Sequence, residues 1–396
     1  MVREIAISLY LLAFKCIFLF FKLFPLKDKV TFVISFGDNS KYVFEEMQRQ
    51  PIKHDVVFLC TGKSIATFND YEYVTRIPFE TFNVFMWMKG IFHLATSRKI
   101  MVDNYFGFLA AIDFKEEVKC FQLWHASGAI KKFGLEDGTV KNRSVKARER
   151  FLRVYDKFDK VIVGSDTMAT IFLKAFNLKS DRILKTGIPR TDFFFDEKKK
   201  QKILESLTLE NPLLGKKKVL LYAPTYRDNE LDQFQLQLDL KKMNQELGDQ
   251  YILMLRLHPA IRKSVDVSKM YPGFAFDYSS NQYQINDLLL AADYLITDYS
   301  SIPFEFSLLR KPMIFFTYDF EQYKRDRGIL EESFPGPVAN DTNTIIHLLK
   351  EDRFDLNVVD QYAKKWNKYS NGQSSRNLVH YMFEGAIPKV LEQRAL

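Results

Sequence analysis

The sequence predicts an α/β protein of two domains, each a parallel sheet covered by helices, and three observations predict it. Short apolar runs of strand length alternate with longer amphipathic stretches, the pattern of sheets buried on both faces. The chain of 396 residues is too long for one ordinary core and suits two domains of roughly 150–200 residues each. Hydrophobic residues make up 47% and charged residues 27%, a globular balance that excludes a long disordered region.

Taken in order, the chain opens with an almost wholly apolar run at residues 5–24, closed by Pro25 and the charged Lys27-Asp28-Lys29. No small-residue cleavage site follows, which speaks against a signal peptide. About 20 apolar residues can span a bilayer, but Ser8, Lys15 and Lys22 recur every seven residues with Glu4 close by. That narrow polar stripe predicts an interfacial helix lying in the headgroup layer, its lysines toward lipid phosphate and its broad apolar side in the acyl boundary.

Beyond it, strands are expected at Val30–Phe36, Asp55–Cys60, Lys99–Asn104, Cys120–Trp124, Lys160–Gly164 and Arg182–Lys185. The charged stretch Glu197–Lys202 reads as the junction. A second set follows at Val219–Tyr222, Tyr251–Leu257, Tyr294–Thr297 and Met313–Thr317. The resulting organisation is an interfacial helix over 1–28, a Rossmann-like acceptor domain over 29–196, a Rossmann-like donor domain over 197–354, and a helical segment over 355–396 packing back. Two such halves facing across a cleft is the economical architecture.

Charge and cysteine content narrow the chemistry. A net charge of +8 suits phosphate-bearing partners. Cys16, Cys60 and Cys120 match neither a disulfide framework nor a zinc site, so a reducing, cytoplasmic setting is expected. There is no G-x-x-x-x-G-K-[ST] loop, no G-x-G-x-x-G fingerprint, no H-E-x-x-H and no paired Cys-x-x-Cys. No metal site and no cofactor is indicated. The basic run from Lys141 to Arg153 belongs to no recognisable nucleic-acid-binding module; beside a membrane it suits lipid phosphate.

Open parallel sheets bind ligands beyond the carboxyl ends of their strands. In the second half four successive strand ends carry polar groups: Ala223–Asp228 with Arg227, Arg256 with His258, Asp298–Glu305, and Tyr318 with Asp319. Ser300 and Ser301 stand where a helix should begin, with Pro303 tolerated in its first turn, so free amides and two hydroxyls would form an anion site. In the first half, Trp124-His125-Ala126-Ser127-Gly128 follows a strand, its small residues permit close backbone approach, and Lys131 and Lys132 lie a turn beyond. A histidine at such a strand end is a candidate catalytic or ligand-binding group.

These motifs together resemble the CDP-glycerol glycerophosphotransferase family of teichoic-acid synthesis in Gram-positive bacteria. The resemblance lies in Leu123–Asp137, Thr186–Asp192, Tyr222–Asp228, Arg256–Pro259, Ile296–Leu309, Lys311–Asp319 and Arg327-Gly328, about 200 residues in consistent order. It implies a GT-B-like fold, CDP-glycerol as donor, and attachment at the cytoplasmic face of the membrane, with an anionic lipid surface as partner. Among family members the chain looks most like the priming enzymes, which add glycerol phosphate to the ManNAc-GlcNAc disaccharide carried on undecaprenyl diphosphate and release CMP. The implied roles are His125 as general base with His258 beside the reaction, and Arg227, Arg256, Asp298, Ser300, Ser301, Glu305 and Arg327 at the donor. Ser127, Gly128, Lys131 and Lys132 fall on the acceptor side. Asp298 and Glu305 would hold the donor's ribose or orient neighbours. Second-step or polymerising glycerol- or ribitol-phosphate transferases of the same pathway are the alternative, with a GT-B nucleotide-sugar transferase behind them.

Overall fold

The computed structural model describes residues 2–51, 54–72, 74–227, 231–232, 234–261, 266–329 and 334–388. Asp228, the last residue of one family motif, and 389–396 of the expected C-terminal segment lie outside the described residues. The chain divides into two compact units. Unit 1 comprises 1–127, 133–192 and 367–396; unit 2 comprises 128–132 and 193–366.

Unit 1 is built on a seven-stranded sheet in the order β3-β2-β1-β4-β5-β6-β7, parallel throughout. Its strands are β1 Lys27–Ile34, β2 Asp55–Cys60, β3 Thr75–Pro78, β4 Ser97–Val102, β5 Lys119–Gln122, β6 Lys160–Ile162 and β7 Ile183–Leu184. Helices α1 Val2–Lys22, α2 Asp38–Arg49, α3 Val84–Ala95, α4 Val145–Asp156 and α5 Asp166–Ala175 belong to it. The central strands are apolar on both faces: six successive residues of β1, Lys29–Ile34, are buried, as expected of a parallel sheet covered by helices.

Unit 2 holds a six-stranded parallel sheet in the order β10-β9-β8-β11-β12-β13. Its strands are β8 Lys218–Ala223, β9 Tyr251–Leu255, β10 Ala275–Asp277, β11 Tyr294–Thr297, β12 Met313–Phe316 and β13 Val338–Ala339. Its helices are α6 Glu197–Glu210, α7 Leu240–Leu247, α8 Val267–Met270, α9 Ile285–Ala291, α10 Ile302–Phe306, α11 Phe320–Arg327, α12 Thr342–Glu351 and α13 Leu356–Trp366. The last helix, α14 Ser374–Glu384, returns to unit 1, where Asp192 accepts the Ser374 and Ser375 backbone N–H groups at 2.8 Å each.

All ten expected strands are present, most of them trimmed at their ends. Three strands went unforeseen, β3, β10 and β13, of four, three and two residues. All three stand at sheet edges, where half the backbone pairing is missing and a short run suffices. β3 even carries Pro78, which only an edge strand or strand end tolerates.

The N-terminal helix departs from expectation in its details. α1 does not offer its whole apolar side outward. Phe14 is 0% and Phe18 1% exposed, with Phe14 stacked on Phe108 at 4.8 Å and edge-on to Trp87 at 5.6 Å. Burying two such rings stabilises by about 1.5–3 kcal/mol each, so α1 is part of the unit 1 core. Its polar stripe also has protein partners: Lys22 Nζ donates to the Asp113 carbonyl at 2.7 Å, and Glu4 receives both Arg150 guanidinium nitrogens at 3.0 and 3.2 Å. Sequence periodicity had those side chains facing lipid; the protein's own η-turn and α4 lie there instead.

Candidate functional site

In each sheet the strand order reverses once, between β1 and β4 in unit 1 and between β8 and β11 in unit 2. A ligand crevice opens at such a reversal, beyond the strand ends. The candidate residues lie beside these two points.

In unit 1, Asp103 ends β4. Its buried carboxylate accepts the backbone N–H groups of Ser35, Phe36 and Gly37, each at 2.9 Å. Burial pushes Asp103 up to about 6 despite these three donors. The turn it holds requires φ +98° at Gly37, the left-handed region natural to glycine, and it presents Phe36. The Phe36 ring stacks on the His125 imidazole at 4.2 Å with 18° between planes. On its other side His125 meets Trp124 at 4.3 Å.

The backbone around His125 is clamped as well. Trp124 sits at φ +58°, strained for a bulky residue. Its N–H donates to Gln122 Oε1 at 2.8 Å. Asn39, 1% exposed on α2, donates to the Leu123 and Trp124 carbonyls at 3.2 and 2.9 Å and accepts the Arg190 backbone N–H at 3.0 Å. The Arg190 guanidinium in turn donates to the His125 carbonyl at 2.9 Å. Desolvation, then the Arg190 charge, holds His125 down at about 4, with only the Asp103 backbone opposing. The imidazole is therefore neutral at physiological pH, and its buried Nδ1 makes no hydrogen bond. A neutral ring of fixed orientation with a free nitrogen can take a proton. Sequence reasoning found His125 but missed Asn39, Asp103 and Arg190. Arg190 and Asp192 lie inside the quoted 186–192 segment, the one signal available.

In unit 2, Asp298 ends β11. It is 2% exposed and accepts the Thr225 and Tyr299 backbone N–H groups at 2.8 and 2.7 Å. Arg227, expected at the donor phosphates, is occupied inside the protein. Its guanidinium donates to both Asp319 oxygens at 2.8 and 3.0 Å and to Asp298 Oδ2 at 3.1 Å. The rings of Tyr323, Tyr299 and Tyr318 surround it at 4.7, 5.3 and 5.7 Å. Desolvation opposes its charge, but the Asp319 hydrogen bond and both carboxylates raise its pKa above the ordinary arginine value. Two carboxylates already satisfy this cation, so it ties the β8, β11 and β12 ends together rather than standing open to phosphate.

Arg256 is similarly held, donating to the Tyr278 and Ser280 carbonyls at 2.8 Å each. His258 is exposed beside it; its Nδ1 accepts the Ala260 N–H at 3.1 Å, and its ring lies 4.6 Å from Tyr226. Partial desolvation, then Lys131 and Arg256, lowers its pKa. With Nδ1 accepting, the ring proton is on Nε2, a donor available to an anion.

The helix expected at Ser300 and Ser301 is present as α10, with Pro303 in its first turn. Ser300 Oγ accepts the Ile302 N–H at 3.2 Å. The helix is only five residues long, so its macrodipole is small and hydroxyls must supply most of any anion binding. Glu305 is 2% exposed in its interior, and Arg327 is exposed at the end of α11.

The Gly128–Lys132 segment, expected on the acceptor side with Ser127, clusters with unit 2, whereas Ser127 stays buried in unit 1. Lys131 pairs with Ile329 in an isolated antiparallel bridge, and the Lys132 N–H reaches the Gly328 carbonyl at 3.4 Å. Lys131 Nζ lies 5.2 Å from the Tyr323 ring centre. Gly128 passes so close to Phe304 that a Cβ would stand 2.6 Å from its ring. The small residue is thus explained by close approach, and the lysine it leads to stands beside His258, among the residues read as donor-binding. Among the described residues no cluster of His, Cys, Asp and Glu forms a metal site.

Comparison with known proteins agrees with this arrangement. The family described as CDP-glycerol:poly(glycerophosphate) glycerophosphotransferase matches residues 16–384. A teichoic acid glycerol-phosphate primase of Bacillus subtilis is 35% identical over 386 residues, covering 96% of this chain and 98% of its own. A teichoic acid ribitol-phosphate primase of Bacillus spizizenii is 33% identical over 303 residues, 74% of this chain and 76% of its own. The solved wall teichoic acid polymerase TagF superposes with a TM-score of 0.76 at 25% identity, over 97% of this chain and 99% of that one, which makes the fold GT-B-like. The chain belongs to the CDP-glycerol glycerophosphotransferase family and is a transferase of teichoic acid synthesis.

Proposed function

We propose that the protein transfers glycerol phosphate from CDP-glycerol to a hydroxyl of a ManNAc-GlcNAc disaccharide carried on undecaprenyl diphosphate at the cytoplasmic membrane face. The observation that carries this reading is the similarity over nearly the whole chain to a glycerol-phosphate primase. The acceptor oxygen attacks the phosphorus that bears glycerol, the bond from that phosphorus to the CMP oxygen breaks, and CMP leaves. The acceptor proton passes to the free nitrogen of His125, whose low pKa keeps it unprotonated and ready. Charge building on the leaving phosphate is met by Lys131, His258 Nε2–H, Ser300 and Ser301. Arg227, Asp298 and Asp319 fix the strand ends that carry these groups. Arg256, Glu305 and Arg327 complete the donor side, and Ser127 belongs with the acceptor.

The test uses purified protein, CDP-glycerol and a short-chain analogue of the lipid disaccharide, with product read by mass spectrometry. His125→Ala is expected to lower turnover by about two to four decades while CDP-glycerol affinity stays within a few-fold. Near-normal turnover would mean that the base lies elsewhere. Calorimetry should show weaker CDP-glycerol binding in Ser300→Ala, Ser301→Ala and His258→Ala; unchanged affinity in all three removes the donor assignment. The similarity to a ribitol-phosphate primase supports a second reading, transfer of ribitol phosphate. CDP-ribitol run in parallel distinguishes the two.

A further inference from the structure

One surface of unit 1 takes part in none of these roles. On α1, Ile5, Leu9, Leu12, Leu19 and Leu23 follow one another at helical steps of three, four or twice that, and they are 55, 63, 58, 47 and 81% exposed. The opposite side of the same helix carries buried Phe14 and Phe18. The leading edge of α3 lies alongside, joined to α1 by Tyr10 against Trp87 at 5.8 Å and Phe21 against Phe92 at 5.4 Å. That edge holds Phe82, Val84 and Phe85 at 107, 63 and 72% exposure. A soluble surface rarely leaves so many large apolar side chains together in water.

On the other flank of α1, Ser8 and Lys15 border a groove of about 600 Å³ whose far wall is α4, with Lys146, Arg150, Arg153 and Lys157. Arg150 is paired with Glu4 and Lys157 with Asp113. Lys15, Lys146 and Arg153 make no ion pair among the described residues, and Glu149 is the acid facing them. An apolar strip with a cationic groove along one side matches the cross-section of an anionic bilayer: acyl chains below, phosphates at the rim.

We propose that α1, the Phe82–Met88 edge of α3 and the α1–α4 groove form a single face that docks flat on an anionic phospholipid membrane. The apolar strip of α1 and the α3 edge enter the acyl boundary, and the groove takes a lipid phosphate. This deepens the reading above, from which it takes the lipid-carried acceptor. It also replaces a simple anchor helix by a face of three elements. α1 lies in the plane of the face because Phe14, Phe18 and the Glu4–Arg150 pair fasten its inner side to the unit. A second copy of the chain is the poorer occupant. Two-fold self-association would set Lys15, Lys146 and Arg153 against their own like charges.

The test is co-sedimentation of the full chain with vesicles of phosphatidylcholine alone or mixed with phosphatidylglycerol. Binding is expected to the mixed vesicles. Phe82→Ser/Phe85→Ser should weaken it by about tenfold or more. Lys146→Gln/Arg153→Gln should weaken it by about tenfold on mixed vesicles, with little change on neutral ones. Thermal melting checks that each variant folds. Undiminished vesicle binding by the first pair overturns the α3 part, and by the second pair the groove. A dimer that the Phe variants dissociate, with vesicle binding unaffected, would assign the face to self-association and overturn the proposal. CMP release with a water-soluble acceptor is measured alongside: its absence in the parent protein would sink the transferase reading and leave the docking face standing.

Discussion

Replacing Gly128 by alanine places a methyl group 2.6 Å from the Phe304 ring, where ordinary contact begins at 3.4 Å. Something must shift by roughly 1 Å, the order of displacement at which overpacked cores rearrange. The ring cannot yield easily: Phe304 is 0% exposed, stacked on Tyr362 at 5.6 Å and against Trp366 at 4.6 Å. Overpacking of this kind costs about 1–3 kcal/mol, which for a unit of this size lowers the melting temperature by about 2–4 °C per kcal/mol. If the segment moves instead, Lys131 leaves Tyr323 and His258. A cation held over a ring contributes about 0.5–2 kcal/mol, so CDP-glycerol affinity should fall about two- to thirtyfold. Scanning calorimetry and isothermal titration with CDP-glycerol measure both effects. Gly138→Ala is the control, because nothing lies within 4 Å of a Cβ there. A Gly128→Ala protein that melts and binds like the parent would refute both the close approach and the place of Lys131 at the donor.

Asn39→Ala leaves the Leu123 and Trp124 carbonyls and the Arg190 amide without their partner, at about 1–3 kcal/mol per buried group. Steady-state kinetics should show kcat falling with the Michaelis constant for CDP-glycerol little changed, whereas a purely structural role would lower the folded fraction alone. Phe14→Ala should lower unfolding free energy by about 3–5 kcal/mol in urea titration, far more than Phe82→Ser; equal stabilities would mean that α1 is no part of the core. His93 and His125 both stand at about 4 in the folded protein against an ordinary 6.5. The unfolded chain then binds more protons between those values. Their contribution is fully present above pH 6.5 and is lost as pH falls toward 4, on the order of 3 kcal/mol each. Urea midpoints at pH 7 and pH 4.5 measure this, and His125→Gln should flatten part of the slope.

How much of this was legible depended on whether the signal was local. Strand cores and their polar ends are local: an apolar run followed by Asp298-Tyr299-Ser300-Ser301 announces itself, and the ten strands so read are present. The clamp on His125 is not local. Asn39 meets Trp124 across 85 positions and Arg190 across 151, and a single asparagine at the start of α2 looks like any capping residue. Arg227 misled for the same reason. Its charge is visible in the sequence, but the carboxylate of Asp319, 92 positions on, is brought to it only by the order of the strands. In α1 the difficulty was symmetry: Phe14 and Phe18, fully buried, are chemically indistinguishable from Phe20 and Phe24, which are 58 and 43% exposed. A heptad stripe says which residues share a side, not whether lipid or protein lies beside it.

The return of the chain end to unit 1 bears on how the molecule is made. Asp192 waits for the amides of Ser374 and Ser375, Gly164 for that of Tyr369, and Ile188 donates to the Ser370 hydroxyl. Asp192 and Ser374 are separated by 182 positions. At a synthesis rate of about 5–20 residues per second, the nascent first sheet stands incomplete for roughly 10–40 s while the second unit emerges. For that interval the buried face that Leu378 and Val379 will cover is open to chaperones, proteases and neighbouring chains. A stop codon in the last thirty positions therefore removes the closing piece of the first domain to be synthesised, and such products should be cleared from the cell as unfolded chains.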